Sequence, residues 1–197
     1  MDTSLKTLLT LARDTVAAPR EGARAIMALR LPVQIGWMAL ALMAVGSTVL
    51  THLSFALLPA DSQDFMTQAM NSPLRTAVLQ GLVMVVSVHL MYRLGRAFGG
   101  IGGLADALVL VAWLQFILLI VQAAQLVLQV ILPPFASLLG LVGVALFFWL
   151  LTNFVLELHG FRSLFKTFGA VVLTLLALGL VMSIVLAAVL GQSLGGA

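Results

Sequence analysis

Apolar runs long enough to cross a lipid bilayer alternate with short polar breaks along most of the chain, and an amphipathic stretch precedes them. In residues 1–32, Leu5, Leu8, Leu9, Ala12 and Val16 recur at helical spacing against Lys6, Thr10, Arg13 and Asp14. Pro19 interrupts that helix. A second short helix is expected from Arg20 to Arg30, with Ala23, Ile26 and Met27 opposite Arg20 and Arg24, and Pro32 ends it. Two placements fit this segment equally. It can lie in the headgroup layer with its cations toward anionic lipid, or pack on the protein's own inner face.

Five transmembrane helices follow, at about 33–58, 74–94, 104–132, 135–156 and 167–190. The first holds only Gln34 and His52 as strongly polar residues. A polar loop with Asp61, Asp64 and Asn71 leads to Ser72-Pro73, an N-cap followed by proline at the first helical position. Ala77 and Gly81 on the second span, and Ala136, Gly140 and Gly143 on the fourth, offer small-residue contact faces. The turn at Pro133-Pro134 is so short that the third and fourth spans should be antiparallel neighbours. Glu157 to Lys166 reads as a polar inner loop, and a Gly-rich, uncharged tail closes the chain.

The third span is the one the others should pack around. Ala107 to Leu132 has 26 residues without charge, Gly or Pro, roughly 39 Å as a helix. It carries Gln115, Gln122 and Gln129 at a spacing of seven, with Gln125 joining the same face. Unpaired amides in hydrocarbon cost several kcal/mol, so this stripe must face other helices or a wet cavity. Such amides either join helices or line a path for a small polar solute.

Composition agrees with a membrane protein. The chain is 62% hydrophobic and 9% charged, against about 25% charged residues in soluble domains. A net charge of +3 suggests nucleic acid at first sight, but the basic residues sit beside apolar runs, where they orient a membrane protein and argue against nucleic acid. Counted by connection from the N-terminus, Lys and Arg number 5, 1, 2, 0, 2 and 0. That alternation predicts an inside N-terminus and an outside C-terminus, with nine of ten cations on one face. The opening residues do not read as a secretory signal, because the first apolar run begins late and is too long. The expected location is a bacterial cytoplasmic (inner) membrane, as a multi-pass protein.

Few residues suggest chemistry. With no Cys there is no disulfide framework and no thiol site. Gly100-x-Gly102-x-x-Ala105 has the form of a dinucleotide fingerprint, but an apolar helix precedes it where that motif needs a buried strand. Asp106 suits the first turn of the next helix. No metal-ligand spacing, nucleophile motif or pair of carboxylates within one span is present, so no cofactor and no enzymatic activity are expected. His52 should lie near the outer end of the first span. The topology would gather His89, Arg93, Arg96, Asp106, Glu157, His159, Arg162 and Lys166 on the inner rim. Apart from His89, those residues form the candidate partner-binding surface, although interfacial anchoring alone would also place them there.

The chain resembles the Yip family, the Ypt/Rab-interacting membrane proteins. The resemblance covers about Thr15 to the end and rests on Pro19-Arg20, the five spans, the glycine-rich turn Arg93 to Gly103, Trp113, and Trp149 followed by Glu157-Leu158-His159-Gly160-Phe161. It implies a cytosolic N-terminus, five helices and, for eukaryotic members, binding of prenylated small GTPases. The short N-terminal region is more similar to prokaryotic relatives, for which the family implies no activity. It carries over no catalytic residue.

The expectation is therefore an all-α polytopic bundle that works as a membrane scaffold or adaptor. Its partners would be the bilayer, anionic lipids at the N-terminus and a protein not identifiable from sequence, with homo-oligomers left open. The alternative is a small channel or carrier lined by the glutamine stripe; an intramembrane enzyme ranks third.

Overall fold

The computed structural model describes residues 5–57 and 72–194, with the side chains of the last helix described to Leu180 and at Ser183. The loop expected to carry Asp61, Asp64 and Asn71 lies outside these residues, as does the tip of the C-terminal tail. Every described element is helical: α1 Leu5–Ala17, α2 Pro19–Met27, α3 Val33–Ala56, α4 Pro73–Ala97, α5 Leu104–Ile131, α6 Pro133–His159 and α7 Leu164–Leu194. Among the described residues, α3, α4, α5 and α6 are long and apolar enough to cross a membrane, and α7 adds a shorter described apolar stretch, Leu164–Leu180. The chain is a polytopic helical bundle.

Local sequence sets the boundaries. Pro19 occupies the first turn of α2, where a missing N–H costs nothing. Ser72 caps α4 by accepting from the Arg75 amide at 3.4 Å, with Pro73 behind it. Leu132 alone separates the third and fourth spans, as C-cap of one and N-cap of the other, and Pro133-Pro134 opens α6. The expected polar loop from Glu157 to Lys166 needs correction. Glu157 and His159 belong to α6, which runs on until Gly160 takes a left-handed φ of 67°. The Phe161 amide then closes onto the Leu156 carbonyl at 2.9 Å, and that αL position is where a glycine costs least.

α5 is the central helix, packed against α3, α6, α4 and α2. Its buried residues, Ala107 to Ile117, lie in the half nearest Arg96 and Lys166, called here the basic end. They meet Leu150, Phe154 and Leu158 of α6, Val88 of α4 and Leu40 of α3. Toward the opposite end Val127, Val130, Leu138 and Leu141 are exposed. Apolar side chains facing outward on long helices are what a lipid environment requires.

α1 and α2 fold over the basic end, with α2 against α5 and α6. Thr15 is completely buried, and its hydroxyl accepts from the Trp113 indole N–H at 3.2 Å. Of the two placements open from sequence, packing on the protein is the one observed for Thr15, Ala23 and Ile26. Leu5 and Leu9 of α1 still point outward.

Candidate functional site

The basic end is built on His159. Its ring is buried at the last turn of α6. A Cβ built on Gly95, Gly100 or Gly102 would run into that ring. These three glycines therefore form a cradle that no larger residue could make, which explains the glycine-rich turn without a nucleotide. The ring bridges two segments. Nε2 lies 2.8 Å from the Met91 carbonyl oxygen of α4, and the Gly102 amide donates to Nδ1 at 3.3 Å. A ring that accepts at Nδ1 and donates at Nε2 is the neutral Nε2–H tautomer. Phe161 stacks on it at 5.5 Å between centroids.

Two residues earlier on α6, Glu157 receives two guanidinium groups. Arg20 Nε and Arg24 Nε each stand 3.0 Å from one of its carboxylate oxygens. The carboxylate side chain is 16% exposed and the arginines 54% and 59%. Exposed pairs are worth about 0–1 kcal/mol, so two arginines on one half-sheltered acid act mainly as a clamp holding α2. The Trp149 indole adds a bond to the Val16 carbonyl at 3.3 Å.

The sequence-derived surface thus divides in two. Glu157 and His159 are structural contacts of the rim, and Asp106 sits in the first turn of α5 beside Gly103. Arg93, Arg96, Arg162 and Lys166 are exposed, and none has an acidic partner among the described residues. Arg96 lies over the Tyr92 ring at 5.8 Å.

The glutamine stripe also divides. Gln122 accepts from Ser47 at 3.3 Å and donates to Thr51 at 3.1 Å, both on α3. Gln129 reaches the Ser54 carbonyl at 3.5 Å, and Gln125 lies over Gly140 of α6. Gln115 faces a cleft between α4 and α7. Three of the four amides are thus engaged at helix interfaces rather than along one open path.

A family model described as the Yip1 domain matches residues 13–186. The chain belongs to the Yip1 family. The match begins in α1 and ends in α7, so the Yip1 domain includes Thr15, the Glu157 clamp and the His159 cradle. No curated protein matches the chain, and no solved structure does. The chain is an integral multi-pass membrane protein of this family.

Sequence reasoning missed the contacts that join α1 and α2 to the domain: Thr15–Trp113 and Arg20–Glu157–Arg24. One signal was available. Arg20 and Arg24 are four apart on one helical face, and Glu157 is the one carboxylate in the last expected inner connection. His52 bridges toward Thr76 of α4 at 3.1 Å, and His89 approaches the Val85 carbonyl at 2.8 Å. The three histidines therefore serve three separate places. Among the described residues no group of three or more His, Asp or Glu could hold a metal.

Proposed function

We propose that this Yip1-family chain is a non-enzymatic scaffold or adaptor of a bacterial cytoplasmic membrane. It would dock the acidic surface of a partner protein on the basic end. The chain would cross the membrane five times with its N-terminus and basic end in the cytoplasm, as the alternation of Lys and Arg along the connections suggests. The observation that carries this reading is the set of four exposed cations, Arg93, Arg96, Arg162 and Lys166, on a rim where Glu157 is already paired with Arg20 and Arg24. The His159 cradle ties the ends of α4 and α6 together, so Arg93 and Arg96 on α4 stand on a rigid platform. Long-range attraction of an acidic partner is a rate and specificity device.

The test is charge reversal. Arg93→Glu, Arg96→Glu and Lys166→Glu together should abolish a complex that co-purifies with the native chain, whereas Gln122→Leu should leave it intact. The carrier reading has Gln115 in its favour, since that amide faces a cleft. Solute flux into proteoliposomes that disappears in Gln115→Leu would decide for transport and against the scaffold.

A further inference from the structure

The cleft beside Gln115 has a composition that neither a packed core nor a water path explains. It encloses about 240 Å³ between α4 and α7, floored by α5 and α6. Among the described residues α7 packs mainly on α6 and makes little direct contact with α4, which leaves the cleft open on that side. On α4 its wall runs from Leu94 to Gln80. The helix rises roughly 21 Å between those two residues, more than half of the roughly 30 Å hydrocarbon layer. Most of the lining is aliphatic or aromatic, including Val83, Leu90, Phe147 and Leu175. Gln80, Ser87, Gln115 and Thr174 interrupt it, but along its apolar stretches such a slot in a bilayer takes up hydrocarbon rather than water.

The mouth of the cleft is charged. Phe161 and Thr167 line its basic end, and the residues beside them in sequence are Arg162 and Lys166, both exposed. Lys166 also stands one helical turn before Ala170, which lines the wall. A lysine there can lay its stem along the apolar wall and present its ammonium group at headgroup level. Neither cation has an acidic partner among the described residues.

We propose that the α4–α7 cleft is a binding site for one anionic phospholipid of the surrounding leaflet, an acyl chain in the cleft and the phosphate between Arg162 and Lys166. The lipid closes the side of the bundle that α7 leaves open. The site shares Arg162 and Lys166 with the proposed docking surface, but its wall contains neither Arg93 nor Arg96, so filling the apolar cleft tests the lipid separately from partner docking.

The test uses the full chain, extracted in detergent with equimolar phosphatidylglycerol and phosphatidylcholine and read by native mass spectrometry. The expected result is one retained lipid per chain, with phosphatidylglycerol favoured about tenfold. The double variant Arg162→Gln and Lys166→Gln should keep a lipid but lose the preference. Ala170→Trp, and independently Thr174→Trp, should fill the cleft and lose the lipid, while any partner complex survives. Equal retention of both lipids by the native chain would overturn the proposal. So would retention unchanged in both tryptophan variants. Disulfide-linked dimers of Ala170→Cys would also overturn it, by making a second copy the occupant.

Discussion

His159 Nε2 stands 2.8 Å from the Met91 carbonyl oxygen, so the last turn of α6 is tied directly to the last two turns of α4. The bond crosses 68 residues of sequence. It lies where Gly95, Gly100 and Gly102 leave space for the ring. The basic end is organised by this contact, and the exposed Arg93, Arg96, Arg162 and Lys166 lie on the same end.

Adding a methyl group at Gly95 should break that arrangement. The new Cβ would overlap the imidazole, which its contacts with the Met91 carbonyl and the Gly102 amide hold in place. Gly95→Ala should cost about 2–3 kcal/mol. His159→Ala should cost a similar amount, because the buried Gly102 N–H loses its acceptor and a cavity opens. Thermal unfolding in detergent, followed by circular dichroism, measures both. Gly99→Ala probes a different effect, since open space surrounds that site but its φ is 85°; its cost of about 1 kcal/mol should come from backbone strain.

Glu157→Gln should loosen α2. Losing the carboxylate unpairs Arg20 and Arg24 together. The global cost should be small, about 1 kcal/mol, while trypsin should cleave after Arg20 or Arg24 several-fold faster. An unchanged cleavage rate would show that the apolar face of α2, through Ala23 and Ile26, holds the helix alone.

Thr15→Val keeps the volume of the residue and removes the acceptor for the Trp113 indole. The expected loss is about 1–2 kcal/mol. Trp113 emission should shift as its N–H loses its partner. A spectrum identical to the native one would mean that the indole does not depend on α1.

Gln122→Leu should weaken α3–α5 packing by about 0.6–1.7 kcal/mol, because two interhelical bonds are removed at once. Partner docking at the basic end should be unaffected.

Much of this was legible in the chain. Long apolar runs bounded by Pro32, Ser72-Pro73, the Gly99–Gly103 turn, Pro133-Pro134 and Gly160 mark the long helices, because proline and glycine act locally. The site was harder to read. Arg20 and Arg24 look like lipid-facing cations until Glu157, more than a hundred residues later, comes within reach. His159 looks like a loop residue because the glycines that receive it are equally consistent with a flexible turn. The glutamine stripe shows why a shared helix face is insufficient: Gln122 and Gln115 lie on nearly one line, yet one meets α3 and the other the α4–α7 cleft, since neighbours change along a long helix.

The account stands on the basic end and the Pro-Pro turn facing opposite sides of a membrane. The chain has no Cys, so single cysteines report cleanly. Phe98→Cys and Leu132→Cys, each at an exposed position, should be probed with a membrane-impermeant maleimide on intact spheroplasts and on inverted vesicles. The account predicts labelling of position 132 in spheroplasts alone and of position 98 in inverted vesicles alone. Labelling of both positions from the same side would contradict it.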